Sequence, residues 1–180
     1  MESTYKMTIA GLERELPLCP LNEKLSIGAF VMFSDVELTV AAAEALLKKC
    51  PDFDIILTAE SKGIPLAYEM ARQSGKTYVV ARKSIKLYMK NSVEVTVKSI
   101  TTANVQKLYI SADKAELLKG KKVLLVDDVI STGESLKALE QLTAAVGAET
   151  AGSVAVLAEG DAADRDDIIF LEKLPLFPTE

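Results

Sequence analysis

The sequence predicts an α/β protein in which helices flank a parallel sheet. Short apolar runs of strand length alternate along the chain with segments of helical periodicity. One of these runs, residues 123–126, is apolar throughout, which is typical of a strand buried on both faces. The chain has 180 residues, of which 49% are hydrophobic and 26% are charged, as expected of one globular domain with a full core.

The first part of the predicted core follows the order helix, strand, helix, strand. Asp35 is suited to cap the first helix, because its carboxylate can accept hydrogen bonds from first-turn amides. Pro51 is expected to end that helix after Cys50, and Gly75 is placed to end the second helix. We expect strands over residues 54–58 and 77–81 and the second helix over residues 64–74. This order predicts right-handed crossovers between parallel strands.

Residues 82–110 interrupt this order. Val93, Val95 and Val97 alternate with polar residues, which predicts a strand exposed on one face. We expect a polar turn over residues 99–104 and a returning strand over residues 106–110. Such a β-ribbon, leaving the sheet beside a site, is a candidate for a flexible lid.

The remaining elements complete the predicted sheet. Leu136, Leu139 and Leu142 form the core face of a helix that Gly147 ends. We expect a short helix over residues 114–118 and further strands over residues 123–126, 153–157 and 168–171.

The composition of the chain argues against several classes of function. The net charge of −5 argues against a nucleic-acid-binding surface, and the absence of histidine removes imidazole bases and histidine metal ligands. Cys19 and Cys50 lack the spacing of a metal site and are expected to be reduced core thiols. Residues 1–4 show no signal-peptide pattern, and no run of about 18 apolar residues could span a membrane. We therefore expect a cytoplasmic protein that binds neither nucleic acid nor a membrane.

Two adjacent carboxylates, Asp127 and Asp128, follow the apolar strand at the edge of the sheet where ligands of open α/β folds bind. They can accept hydrogen bonds from vicinal hydroxyls or hold a hydrated Mg²⁺. The turn after them combines hydroxyls, a glycine and consecutive amides at a helix start, which is typical of an anion site. This turn comprises Ser131, Thr132, Gly133, Glu134 and Ser135. A polar strand end with a helix cap is the alternative, which leaves the order of strand, acid pair and turn unexplained.

A second small-residue turn, residues 60–63, follows the strand at residues 54–58 and precedes a helix. Its amides would face the same crevice, and Lys62 can meet diphosphate oxygens as a point charge. A basic cluster after the next strand could neutralise a leaving pyrophosphate. This cluster comprises Arg82, Lys83 and Lys86. A purely structural role stays open for both segments, because helix starts often carry serine and glycine and charged strand ends are often only solvated.

Together these motifs resemble the type I phosphoribosyltransferases from about residue 35 to residue 157. The resemblance implies their fold: one domain over residues 1–180, with a parallel sheet flanked by helices. It also implies a flexible β-ribbon lid over residues 82–110 and a small hood formed by residues 1–34 and 158–180. These enzymes transfer a phosphoribosyl group from phosphoribosyl pyrophosphate (PRPP), with Mg²⁺ bound mainly through PRPP and water. They commonly form homodimers in which one subunit's basic loop reaches the other's site.

The resemblance assigns roles to the site residues. Asp127 and Asp128 would bind the ribose 2- and 3-hydroxyls and act in catalysis together with Lys86. The turn of residues 131–135 would cradle the 5-phosphate, although Glu134 departs from the glycine that many members carry. In the pyrophosphate loop the backbone of the family often takes a non-proline cis bond. The pyrophosphate would be bound by Glu60, Ser61, Lys62, Gly63, Arg82, Lys83 and Lys86.

Within the family the chain resembles the purine branch. Residues 59–68 and 80–83 are similar to adenine and xanthine phosphoribosyltransferases and to the PRPP-binding domain of the Bacillus-type purine operon repressor. Residues 92–110 are nearer to the xanthine and repressor types, whereas residues 131–133 are nearer to the adenine enzymes. Adenine is therefore the favoured base, and xanthine or guanine are the alternatives.

The base would be held by two residues on this resemblance. Phe33 lies in a Phe-Ser-Asp-Val context similar to the Phe-Arg-Asp of adenine enzymes, whose phenylalanine stacks on the base; plain core packing is equally open for it. Leu157 could cover the opposite face of the base. The likeness to the repressor leaves a second hypothesis, a non-catalytic PRPP or nucleotide sensor. DNA binding by the chain alone is not expected, since residues 1–34 contain no basic recognition helix.

Overall fold

The computed structural model describes residues 3–98 and 105–179. The strands of the described residues are β1 (Thr4–Ile9), β2 (Leu12–Asn22), β3 (Leu25–Gly28), β4 (Ile55–Ala59), β5 (Thr77–Ala81), β6 (Val93–Lys98), β7 (Val105–Ile110), β8 (Lys122–Ile130), β9 (Glu149–Glu159), β10 (Ile169–Leu174) and β11 (Phe177–Pro178). The helices are α1 (Val36–Leu47), α2 (Ile64–Ser74), α3 (Ala112–Leu118) and α4 (Glu134–Ala145), with a 3₁₀ helix at Gly160–Asp164.

The central sheet is parallel throughout and has the strand order β10-β9-β8-β4-β5. This confirms the predicted α/β class and parallel sheet. An apolar core covers each face of the sheet. One face packs against α1, α2 and the N-terminal strands, and the other packs against α3, α4 and the β6–β7 ribbon. Because both faces are covered, the strands are apolar on both sides, as residues 123–126 predicted.

Helix signals in the sequence match the observed boundaries closely. The Asp35 carboxylate caps α1 by accepting a hydrogen bond from the Leu38 amide at 3.1 Å, as predicted. Gly75 ends α2 in a left-handed conformation, with φ of 68°. The first helix is shorter than predicted, because it ends at Leu47 rather than at Cys50.

The N- and C-terminal segments form a second sheet in the order β1-β2-β3-β11. We call this antiparallel sheet the hood sheet. Strand β10 belongs to the central sheet, so only part of the predicted segment 158–180 contributes to the hood sheet. Arg14 of β2 joins the hood sheet to the start of α1, where its guanidinium contacts the carboxylates of Asp35 at 2.7 Å and Glu37 at 2.9 Å.

The β6–β7 ribbon is antiparallel, as predicted, and its base is part of the core. Leu108 and Ile110 of β7 are buried, and Val93 and Val95 of β6 pack against the same apolar cluster beside α4. The prediction of a strand exposed on one face is therefore confirmed over residues 93–96, because the two valines face this cluster while Glu94 and Thr96 are exposed. The side chain of Val97 and the predicted turn at residues 99–104 lie outside the described residues.

The two cysteines are free thiols in different surroundings. Cys50 is partly buried after α1, and burial raises its pKa to about 11. Cys19 is exposed on β2 of the hood sheet, so the expectation of two core thiols is wrong for Cys19. None of the helices in the described residues has the length and apolarity needed to cross a membrane.

Candidate active site

A cavity of about 560 Å³ lies where the carboxyl ends of the parallel strands meet the hood sheet. Its polar wall comes from the loops that follow β4, β5 and β8 and from the end of β9. Its lining residues are Ile27, Gly28, Ala29, Phe30, Val31, Ala59, Glu60, Ser61, Lys62, Lys83, Gln106, Leu108, Asp127, Asp128, Val129, Ser131, Ser135, Glu159 and Leu174. The structure thus brings the acid pair and both small-residue turns of the sequence into one site.

The acid pair, Asp127 and Asp128, lies beyond the last residue of β8 that pairs with β4, but within the part of β8 that pairs with β9. The pairing of β8 with β4 ends at Val126, whereas its pairing with β9 continues to Ile130. The prediction that the strand ends at the acid pair therefore holds for the pairing with β4, whereas the strand itself continues to Ile130 beside β9. Asp128 is 3% exposed, and one of its carboxylate oxygens, Oδ2, is buried without a hydrogen-bond partner in the described residues.

Lys62 supplies positive charge beside Asp127 and Asp128. Lys62 Nζ lies 3.6 Å from Asp128 Oδ2, and the Asp128 amide donates to Asp127 Oδ1 at 2.8 Å. Burial, together with the neighbouring Asp128 carboxyl, raises the pKa of Asp127 to about 8, against the weaker opposing effect of Lys62. A group that brings hydroxyl donors or a cation would satisfy both carboxylates, so the pair fits a ribose diol and a hydrated Mg²⁺.

The turn at residues 60–63 faces the cavity through Glu60, Ser61 and Lys62. The peptide bond between Glu60 and Ser61 is cis, as the resemblance implied. The Glu60 carboxylate accepts hydrogen bonds from the Lys83 amide at 2.8 Å and from Arg82 Nε at 3.1 Å. These contacts, the amide first, hold the pKa of Glu60 below its ordinary value and tie the turn to the end of β5.

Gly63 is buried behind this turn. A Cβ atom at this position would lie 2.7 Å from Thr58 Oγ1 and 3.2 Å from the backbone of Asp127. The structure therefore gives Gly63 a packing role, because a larger residue would push the turn away from the acid pair.

The turn at residues 131–135 encloses a small cavity of about 30 Å³ beside the larger one. The two cavities share Asp127, Val129, Ser131 and Ser135. Gly133 has a φ of 78° at the N-terminus of α4, a left-handed conformation that glycine adopts without strain. The first-turn amides of α4 and the positive end of its dipole suit this small cavity to a phosphate.

Five residues predicted for the site line neither cavity, namely Gly63, Arg82, Lys86, Phe33 and Leu157. The Arg82 guanidinium is held by Glu60 and donates to the Tyr88 hydroxyl at 3.0 Å. Lys86 Nζ donates to Ser84 Oγ at 2.8 Å, so its predicted catalytic position is not observed. Of the basic cluster, only Lys83 lines the cavity.

The two residues predicted to contact the base, Phe33 and Leu157, do not line the cavity. Phe33 is 49% exposed and lies outside the cavity lining, while Phe30 and Val31 line it instead. Leu157 is completely buried in the core beneath the hood sheet. Glu159, two residues further along β9, is the residue of this strand that reaches the cavity.

Comparisons with known proteins agree with this geometry. Residues 35–175 match the family model described as a phosphoribosyl transferase domain. The chain is 36% identical over 124 residues to the adenine phosphoribosyltransferase of Thermotoga petrophila, which covers 66% of this chain and 69% of that protein. It is 34% identical over 108 residues to a hypoxanthine/guanine phosphoribosyltransferase of Methanosarcina mazei, which covers 60% of this chain and 53% of that protein.

A solved structure shares the fold. The adenine phosphoribosyltransferase of Thermoanaerobacter pseudethanolicus superposes with a TM-score of 0.72 at 21% identity, over 88% of this chain and 95% of that one. The family match covers the central sheet, both turns and the acid pair. The chain therefore belongs to the phosphoribosyl transferase domain family, in the purine branch of the type I phosphoribosyltransferases.

Proposed function

We propose that this protein transfers the phosphoribosyl group of PRPP to a purine base in purine salvage. The products are a nucleoside 5-monophosphate and pyrophosphate. The observation that carries the proposal is that the acid pair and the two small-residue turns line one cavity and a smaller one beside it. These three features match the diol, the 5-phosphate and the pyrophosphate of one substrate.

The placement of PRPP follows from the chemistry of each wall. Asp127 and Asp128 accept hydrogen bonds from the ribose 2- and 3-hydroxyls. The turn at residues 131–135 binds the 5-phosphate through its amides and hydroxyls. The amides of residues 60–63 meet the pyrophosphate, with Lys62 and Lys83 as the cations that line the cavity.

Catalysis in this arrangement is positioning and electrostatics. Positive charge develops on the ribose ring as pyrophosphate departs, and the carboxylates of Asp127 and Asp128 stabilise it. Lys62 and Lys83 stabilise the negative charge that grows on pyrophosphate. Gln106 and Leu108 of the ribbon line the same cavity, so the ribbon helps to exclude water that would hydrolyse PRPP.

Mg²⁺ is the proposed cofactor. When bound, it would neutralise charge on the departing pyrophosphate, and Asp127 and Asp128 are the residues that would hold it. Mg²⁺ usually takes one or two carboxylates together with phosphate oxygens and water, and Asp127 and Asp128 offer two carboxylates. In the described part of the chain, no group of three or more Asp, Glu, Cys or His side chains could hold a metal ion.

Adenine is the favoured base, with guanine or xanthine as alternatives. The adenine enzyme of Thermotoga petrophila and the hypoxanthine/guanine enzyme of Methanosarcina mazei are 36% and 34% identical to this chain. These two identities are too close to distinguish adenine from guanine. Adenine is favoured by the likeness of residues 131–133 to the adenine enzymes.

We also propose a cytoplasmic homodimer. Free thiols suit a reducing compartment. Exposed apolar side chains follow the basic segment Arg82-Lys83, namely Ile85, Leu87 and Tyr88. We call these three residues the apolar loop cluster. Exposed groups of this kind commonly mark a contact with a partner.

The activity is tested by incubating the protein with PRPP, Mg²⁺ and each purine base in turn and separating the nucleotides by chromatography. We expect a nucleoside monophosphate from at least one base, and Asp128→Asn should abolish most of it. PRPP binding without product from any base would contradict the enzymatic proposal. That result would instead support the alternative, a non-catalytic PRPP or nucleotide sensor.

A further inference from the structure

Glu159 is a cavity residue without a role in the reaction described above. It is the last residue of β9 and lies beside Leu174 across the β9–β10 ladder. Leu174 in turn packs against the hood sheet, since its Cδ1 lies 3.2 Å from where a Cβ on Gly28 would stand. Glu159 is therefore at the hood end of the cavity.

The hood end is the part of the cavity left for the base once PRPP is placed as proposed. The sugar lies against the acid pair, and the 5-phosphate and the pyrophosphate lie against the two turns. The other residues that line the hood end carry no charge, namely Ile27, Gly28, Ala29, Phe30, Val31 and Leu174. A flat purine ring suits such an apolar pocket, and one convergent polar group would fix its orientation.

The carboxylate of Glu159 is available to a ligand. Over residues 3–98 and 105–179, no hydrogen bond or ion pair of the protein engages it, and Lys62 attracts it only at longer range. Burial raises its pKa, which reflects the cost of a carboxylate in these surroundings without a donor. A ligand with an N–H group pointing at it would remove part of that cost.

We propose that Glu159 selects the base, by accepting a hydrogen bond from an exocyclic amino group of the purine. This inference rests on the proposed function and names its substrate class as amino-substituted purines. An amino group donates to a carboxylate oxygen, whereas an oxo group at the same position places two acceptors against each other. Adenine and hypoxanthine differ in this way at C6, and guanine and xanthine differ in this way at C2.

Glu159→Gln is the decisive variant, because a carboxamide keeps the size of the side chain and can either donate or accept. We expect the wild-type protein to prefer the amino base in at least one of the two pairs. Glu159→Gln should lower that amino-to-oxo ratio of kcat/KM by about tenfold or more, since a hydrogen bond to a charged group is lost. The KM for PRPP should change by less than about threefold, because Glu159 touches only the base.

Asp161→Asn is the matched control, because Asp161 is exposed two residues further along and lies outside the cavity lining. It makes the same change of charge and should leave both ratios unchanged. Glu159→Leu provides a second variant if the glutamine form is poorly folded by thermal melting. Titration with AMP and IMP, and with GMP and XMP, measures the same preference without turnover.

The outcomes separate this proposal from the proposed function. Nucleotide formation with unchanged ratios in both pairs would overturn the role of Glu159 and leave the activity intact. An increased KM for PRPP with unchanged ratios would likewise overturn it and assign Glu159 to charge balance with Lys62. Failure of the wild-type protein to form or bind any purine nucleotide would overturn both proposals.

Discussion

The acid pair at the end of β8 is poorly stabilised as two carboxylates in the empty protein. The buried Oδ2 atom of Asp128 lies 3.6 Å from the Lys62 ammonium. Burial and the neighbouring Asp128 raise the pKa of Asp127 to about 8. Such a site is costly in the empty protein and favourable once hydroxyls and a cation arrive. Function and stability are therefore expected to oppose each other at these residues.

Asp128→Asn tests this opposition. We expect kcat to fall about 100-fold, with a smaller loss of apparent PRPP affinity, because the negative charge near the cationic transition state is removed. The same variant should melt at or above the wild-type temperature, since a buried carboxylate oxygen without a donor is replaced by a neutral side-chain amide that can donate to Asp127. Steady-state kinetics and thermal melting check both expectations, with exposed Asp52→Asn as control. A folded, fully active Asp128→Asn protein would refute the assigned role.

At the scale of the elements, the junction of β2 with α1 depends on one carboxylate. Asp35 accepts hydrogen bonds from Arg14 Nε at 2.7 Å and from Arg14 Nη2 at 3.0 Å, and it also caps α1. The bonds from Arg14, followed by the Leu38 amide, hold the pKa of Asp35 below its ordinary value. The contribution of Asp35 to stability is therefore complete above about pH 4 and is lost as pH falls through the lower folded-state pKa.

Asp35→Asn should keep the cap and lose the charge. At pH 7 we expect the free energy of unfolding to fall by about 1 kcal/mol, which allows for the partial exposure of the pair. The difference from the wild-type protein should shrink as the pH is lowered below about 4. Urea denaturation at pH 7 and pH 3 measures it. Glu44→Gln removes an exposed pair with Lys48 and should have little effect at either pH. A difference that grows on acidification would contradict the assignment.

The ribbon is expected to be anchored at its base. Leu108 is 3% exposed against α4 and the central sheet, whereas Val105 of the same strand is 51% exposed. Leu108→Ala should lower the free energy of unfolding by about 2–5 kcal/mol, because it leaves a cavity in the core. Val105→Ala should cost less than about 1 kcal/mol. Equal, small effects in denaturant titrations would mean that the whole ribbon moves independently of the core.

At the scale of the whole molecule, we expect a two-fold symmetric dimer. The apolar loop cluster includes Leu87, which is fully exposed, beside the basic end of β5. Light scattering at micromolar concentration should give close to twice the 19.4 kDa mass of the chain. Leu87→Asp should shift the protein toward monomer, whereas Leu21→Asp, at an equally apolar exposed position of the hood sheet, should not. A monomeric wild-type protein with full activity would show that the site is complete within one chain.

Local signals predicted the central sheet well, because its strands, caps and turns are each encoded within a few residues. The hood sheet was harder to predict from the sequence, because β11 and β3, which pair with each other, come from opposite ends of the chain. The alternation of Tyr5, Met7 and Ile9 was the available signal for β1.

The residues that line the hood end of the cavity were predicted least well. A motif cannot tell which way a side chain faces, and Ser34, with a φ of 69°, turns the chain directly after Phe33. Glu159 was not identified as a cavity residue because β9 extends two residues past its predicted end at Leu157. Both differences concern side-chain direction near the end of an element, where long-range packing decides the outcome.

The two cysteines differ in exposure and in pKa, so one of them can be labelled selectively. With its pKa near 11, Cys50 carries a thiolate fraction of only about 10⁻⁴ at pH 7, and the thiolate is the species that maleimides attack. Cys19 is open to solvent on the hood sheet. A fluorophore can therefore be attached to the hood sheet of the unmodified sequence, where its emission would report substrate binding at the neighbouring end of the cavity.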